Sequence, residues 1–139
     1  MKKRIYFFIA LSSIVYYLIS HNIRLQDKLA KMKIKFKLKK YINISRRAKD
    51  NQELAAAWYM IGNIYHFDLN KPESAKEYYE KIVKDNEENY LEDAAMFNLG
   101  LVLKEMNKTR QANQIFRKVI ERFPASARAR DAELELSRL

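Results

Sequence analysis

The chain has 139 residues, a formal net charge of +10, two glycines, two prolines and no cysteine. Without cysteine there is no disulfide, no thiolate nucleophile and no Cys-built zinc site, and so few turn residues exclude a sheet protein with its many reversals. The charge is uneven: residues 1–50 carry 14 Lys/Arg against Asp27 and Asp50, whereas residues 51–139 carry 13 basic and 15 acidic side chains, so the basic excess belongs to the N-terminal part alone.

Lys2, Lys3 and Arg4 precede a run from Ile5 to Ile23 whose polar members are Ser12, Ser13, Ser20, His21 and Asn22, besides tyrosine hydroxyls. As a helix this run spans roughly 28 Å, close to the hydrocarbon thickness of a bilayer. Tyr6, Tyr16 and Tyr17 stand toward its ends, where amphipathic rings favour the headgroup level. Residues 1–23 are therefore read as a transmembrane signal-anchor. The competing reading is a cleaved signal peptide, but Leu18-Ile19-Ser20 is a poor processing site and no A-x-A motif follows.

Residues 24–50 form a basic connector with eleven Lys/Arg. From Lys31 to Lys40 lysines alternate with Met32, Ile34, Phe36 and Leu38, which permits a strand. Leu25, Leu29, Met32 and Phe36 also follow i, i+4, i+7, i+11, which permits a helix. The helix is preferred, because an isolated strand has no partner here and no Gly or Pro interrupts the segment. Lys31, Lys33, Lys35, Lys37, Lys39 and Lys40 then offer a face for anionic headgroups, each worth on the order of 1 kcal/mol near the surface. A solvated linker and nucleic-acid binding, with Phe36 and Tyr41 as stacking groups, are the rival readings.

From residue 54 the sequence repeats itself. Trp58-x2-Ile61-Gly62-x2-Tyr65 is followed by Ala75-x3-Tyr79, and Met96-x2-Leu99-Gly100-x2-Leu103 is followed by Ala112-x3-Phe116 and Pro124. This pattern resembles the tetratricopeptide repeat family over residues 51–139, with its W-x2-L-G-x2-Y, A-x3-F and terminal Pro. The resemblance implies an all-α fold: about two antiparallel helix pairs plus a capping helix. It departs in spacing, the glycines being 38 apart rather than the family's usual 34, with one extra residue before Ala75. Met96, Leu103 and Glu87 also replace the family's aromatic, Tyr and first Pro. The ending Phe116-x2-Val119-Ile120-x2-Phe123-Pro124-x-Ser126 resembles that of bacterial cell-envelope members, which points to an inner-membrane protein with exported repeats. The eleven basic residues after the span favour the opposite orientation. The export reading is preferred.

Asp50–Glu53, Asn70–Glu73 and Asn89–Glu92 have capping-box spacing and place helix starts near 51, 71 and 90. Pro124 ends the fourth helix and Ser126 caps a fifth, in which Ala129, Ala132, Leu136 and Leu139 form the apolar stripe. Arg128, Arg130, Asp131, Glu133 and Glu135 form its outer side. Gly62 and Gly100 mark close helix approach, since mid-helix Gly costs about 1 kcal/mol against Ala. Two pairs and a cap are few for a stable array, so residues 41–49, self-association or a partner is expected to complete it.

The histidines are His21 and His66, and no spacing suits a metal, a nucleophile with its base, or a phosphate loop. Neither catalysis nor a cofactor is expected. The resemblance implies a groove for a partner peptide or helix, lined by Tyr59, Asn63, His66, Phe67, Phe97, Asn98, Leu101 and Lys104. Asn63 and Asn98 match asparagines that bond a ligand backbone in the family. Tyr59 stands where the carboxylate-clamp version needs Lys, so clamp binding is not expected.

Overall fold

The computed structural model describes residues 2–84 and 89–138, with side chains from Ser12 onward. Helix α1 runs Lys2–Arg47 and α2 runs Asn51–Asn63, continuing without a break into a π-helical turn at Ile64–Asp68. Then come α3 (Pro72–Lys84), α4 (Glu92–Glu105), α5 (Thr109–Arg122) and α6 (Ala127–Ser137). Every described element is helical. The chain divides into two compact units, Met1–Lys37 and Leu38–Leu139.

The Lys31–Lys40 run is helix rather than strand, within α1. Ile14, Val15, Tyr16, Tyr17, Leu18, Ile19 and Ile23 are all exposed. Among the described residues, no helix is long and apolar enough to cross a membrane. The expected span is therefore not found there; its first part, Ile5–Leu11, lies outside the described side chains.

The second unit is a stack in which α2 packs on α3, α3 on α4, α4 on α5 and α5 on α6. Its core runs from Ala75, Tyr79 and Ile82 through Met96, Leu99, Val102 and Leu103 to Phe116 and Val119, with Trp58, Tyr65 and Leu136 packed against it. Burying each large apolar side chain contributes about 1.5–3 kcal/mol. Ile61 and Ile64 on the first pair are also fully buried. The end of α1 lies in the same unit, and Leu38, Tyr41, Ile42, Ile44 and Ser45 on it are half-buried.

The two glycines explain the pairing. A Cβ on Gly62 would lie 2.7 Å from Tyr79 Cε1, and one on Gly100 would lie 2.8 Å from Phe116 Cδ1 and closer still to Cε1. The ring of the second helix thus fills the volume of the missing side chain.

The helix ends correct two expectations. Asp50 caps α2, its carboxylate accepting from Glu53 N at 2.7 Å, while Glu53 accepts from Lys49 N at 3.0 Å rather than from Asp50. Asn70 does not open the next helix. It sits at φ 50°, as Asn107 does at φ 59°, and both close the turn between paired helices. Asparagine tolerates this left-handed backbone better than other non-glycine residues. Around Asn107 the Lys108 N–H donates to Leu103 O and the Asn107 N–H to Lys104 O, the two bonds that close a helix C-terminus on a left-handed residue. Asn89 accepts from Leu91 N at 3.0 Å in a turn ahead of α4, which starts at Glu92 rather than near 90. Ser126 caps α6 as expected, accepting from Ala129 N at 3.1 Å.

The extra residue before Ala75 also has its place. Gly62 to Asn70 is one residue longer than Gly100 to Asn107, and the π-helical turn, a wider coil with i→i+5 bonds, absorbs it.

Candidate functional site

Of the eight groove candidates, Phe67 is exposed, at 63 %. Tyr59, Asn63, Leu101 and Lys104 are half-buried, and His66, Phe97 and Asn98 are buried. The structure brings them together along the first helices of the two pairs, but mostly by bonding them to one another.

Asn98 Nδ2 lies 3.2 Å from both Tyr59 Oη and Asn63 Oδ1, and the Tyr79 hydroxyl donates to Asn63 Oδ1 at 2.8 Å. Burial pushes the Tyr79 phenol well above its ordinary value, the nearby Tyr59 adding to this and the Asn98 bond opposing it. Tyr79 therefore stays a protonated donor. The two asparagines expected to meet a ligand backbone already spend one carbonyl and one amide nitrogen on this cluster.

His66 is drawn inward by the π-helical turn. Its Nε2 lies 2.9 Å from Glu105 Oε1, and its ring stacks on Phe67 at 4.2 Å and meets Tyr79 edge-on. Lys104 donates to Glu135 Oε2 at 2.7 Å. That bond holds the Glu135 carboxyl below the usual glutamate range against the opposing effect of burial. Glu135 thus faces α4 and not the outer side of α6, as the polar face of the sequence suggested. Phe97 packs against Phe116, with the Arg128 guanidinium 5.5 Å from its ring centroid.

Residues 55–89 and 94–126 each match a family model described as Tetratricopeptide repeat. The chain is a tetratricopeptide repeat protein. No curated protein matches it.

With the repeats aligned on their glycines, 38 residues apart, Tyr59 corresponds to Phe97 and His66 to Lys104, but Asn98 corresponds to Met60 rather than to Asn63. Contacts between tetratricopeptide units then fall into a rule. Tyr59 meets Asn98 and His66 meets Glu105 on the next first helix; Phe97 meets Arg128 and Lys104 meets Glu135 on α6. Glu105 and Glu135 are 30 apart, as are Asn98 and Arg128. Helix α6 therefore stands where the first helix of a third repeat would, with Ala129 and Ala132 buried in the places of Leu99 and Val102. At the glycine position it has Arg130, which is exposed.

The spacing of 39 or 31 residues between these partners was the available signal, and alignment by residue type obscured it. Glu92 was missed as well: its side chain is nearly buried and pairs with Arg122 across α4 and α5 at 2.6 Å. Among the described residues no group of three His, Asp or Glu side chains is placed to hold a metal ion.

Proposed function

We propose that this tetratricopeptide protein is a membrane-anchored scaffold or adaptor that holds a protein partner, as a peptide or helix, along the first helices of its repeats. The carrying observation is the pair of matched tetratricopeptide repeats, a kind of unit that serves protein–protein interaction. The apolar run Ile5–Ile23 ahead of the basic connector supports the anchor, and the family resemblance supports a bacterial inner-membrane location with the repeats outside the cytoplasm.

The continuity of α1 refines the lipid contact. No Pro or Gly interrupts it, so at about 1.5 Å per residue Lys31 lies roughly 12 Å beyond Ile23 and Lys35 roughly 18 Å beyond. A Debye length is about 8 Å at physiological salt. Attraction to anionic headgroups is therefore strongest at the start of the lysine run, at Lys31 and Lys33, and weakens along it.

Flotation of the full chain with vesicles tests the anchor. Co-flotation that survives high salt and is lost when Ile14, Val15 and Leu18 become Asp supports it. Salt-sensitive binding to an oligonucleotide without flotation supports the nucleic-acid reading instead. A reporter fused after Leu139 and active only when exported tests the orientation, and an inactive reporter on a membrane-bound fusion reverses it.

A further inference from the structure

Beyond Ile23 the exposed large apolar residues of α1, namely Leu25, Leu29, Met32 and Phe36, fall on a seven-residue repeat that can be traced back to Val15. Val15, Asn22, Leu29 and Phe36 are seven apart, and Leu18, Leu25 and Met32 stand three after the first three of them. Every one of these side chains is exposed, from 38 % at Leu29 to 78 % at Phe36. Ile34 and Leu38, on the far side of the same helix, are half-buried. This is the a and d seam of a coiled coil over three heptads, with one polar residue, Asn22, at an a position, where it fixes register and strand number.

The flanks choose the partner. From Asn22 to Lys40 positions e and g beside the seam are Gln26, Lys28, Lys33, Lys35 and Lys40, with no acidic residue among them. Between two parallel copies Lys28 would face Lys33 and Lys35 would face Lys40, so self-pairing is opposed by like charges. A helix with acidic e and g positions meets the same lysines with opposite charge.

We infer that α1 docks, over Asn22 to Phe36, a parallel helix of another protein that is apolar at a and d and acidic at e and g. The seam lies beyond the proposed membrane span for most of its length, so it does not rest on the anchor or on the groove.

The test uses the full chain in detergent micelles and two synthetic four-heptad peptides, alike at a and d with one a-position Asn. One carries Glu at every e and g position and the other Lys. The acidic peptide is expected to bind at least about tenfold more tightly, a preference of about 1.4 kcal/mol. Replacing Lys28, Lys33, Lys35 and Lys40 by Glu reverses the preference, and Leu29→Asp abolishes binding of either peptide. These positions are exposed, so the repeats' melting transition serves as the folding control. The inference is overturned if the two peptides bind alike, or if Leu29→Asp leaves binding intact. It is also overturned if Met32→Cys chains cross-link to each other in preference to an acidic peptide carrying Cys at the matching position. Loss of vesicle flotation leaves these outcomes unchanged, so failure of the anchor and failure of this seam are separable.

Discussion

Asn98 Nδ2 lies 3.2 Å from Asn63 Oδ1, a bond between the first helices of the two repeats. The same oxygen accepts from the Tyr79 hydroxyl on the second helix of the first repeat. Three helices thus meet at one carbonyl, and the cluster is a structural joint between the repeats.

Asn98→Leu is expected to destabilise the protein by about 1–3 kcal/mol, because Asn63 and Tyr59 lose a partner in a part-buried site. Tyr79→Phe removes a second bond to the same oxygen, so the two changes couple. Chemical denaturation of the four species in a double-mutant cycle measures this, with a non-zero coupling term as the expected outcome.

Gly100→Ala tests the close approach to Phe116. Helix propensity favours Ala by about 1 kcal/mol, whereas forcing a methyl group against a fixed ring costs about 1–3 kcal/mol. The contact with Phe116 is tighter than that of Gly62 with Tyr79. Thermal melting should show a loss for both, larger for Gly100→Ala, and a greater loss still for Gly100→Leu.

Phe97 and Phe67 should separate cleanly. Phe97 is 8 % exposed and packs on Phe116, so Phe97→Ala is expected to cost about 3–5 kcal/mol. Phe67 is 63 % exposed, so Phe67→Ala should change stability by no more than about 0.5 kcal/mol. Equal losses would place Phe67 in the core.

The Lys104–Glu135 pair makes part of the stability pH-dependent. The carboxyl of Glu135 is lowered first by its hydrogen bond from Lys104, so its contribution is present above the ordinary glutamate value and is lost as pH falls through the lower folded-state value. Lys104 is 39 % exposed, so the contribution is at most about 1 kcal/mol. Glu135→Gln should melt below the parent at neutral pH, with the gap closing in acid. A gap that widens in acid would reverse the sign.

Much of the repeat architecture could be read from residue types. Gly62, Gly100, Ala75 and Ala112 fixed which helices pair, because only small residues admit a ring so close. Asp50 and Ser126 announced their helix starts, having the short oxygen-bearing side chains that caps require. Asn70 misled because the same chemistry serves both ends of a helix: its spacing to Glu73 looked like a cap, while its tolerance of positive φ put it in the preceding turn. The groove was legible only in part. Solvent-facing and joint-forming asparagines are identical in sequence, and what separated them was the face of α4 that the 38-residue register turns toward the first repeat. The π-helical turn was visible only as one extra residue, without its location.

The central claim is that the first helices of the repeats hold a protein partner. It is tested most directly by a photo-cross-linking residue at Leu101, half-buried on the first helix of the second repeat, with exposed Lys118 on α5 as the control position. In intact membranes the account predicts one discrete adduct from position 101 and none from 118. The same adducts from both positions, or an adduct from 118 alone, would contradict it.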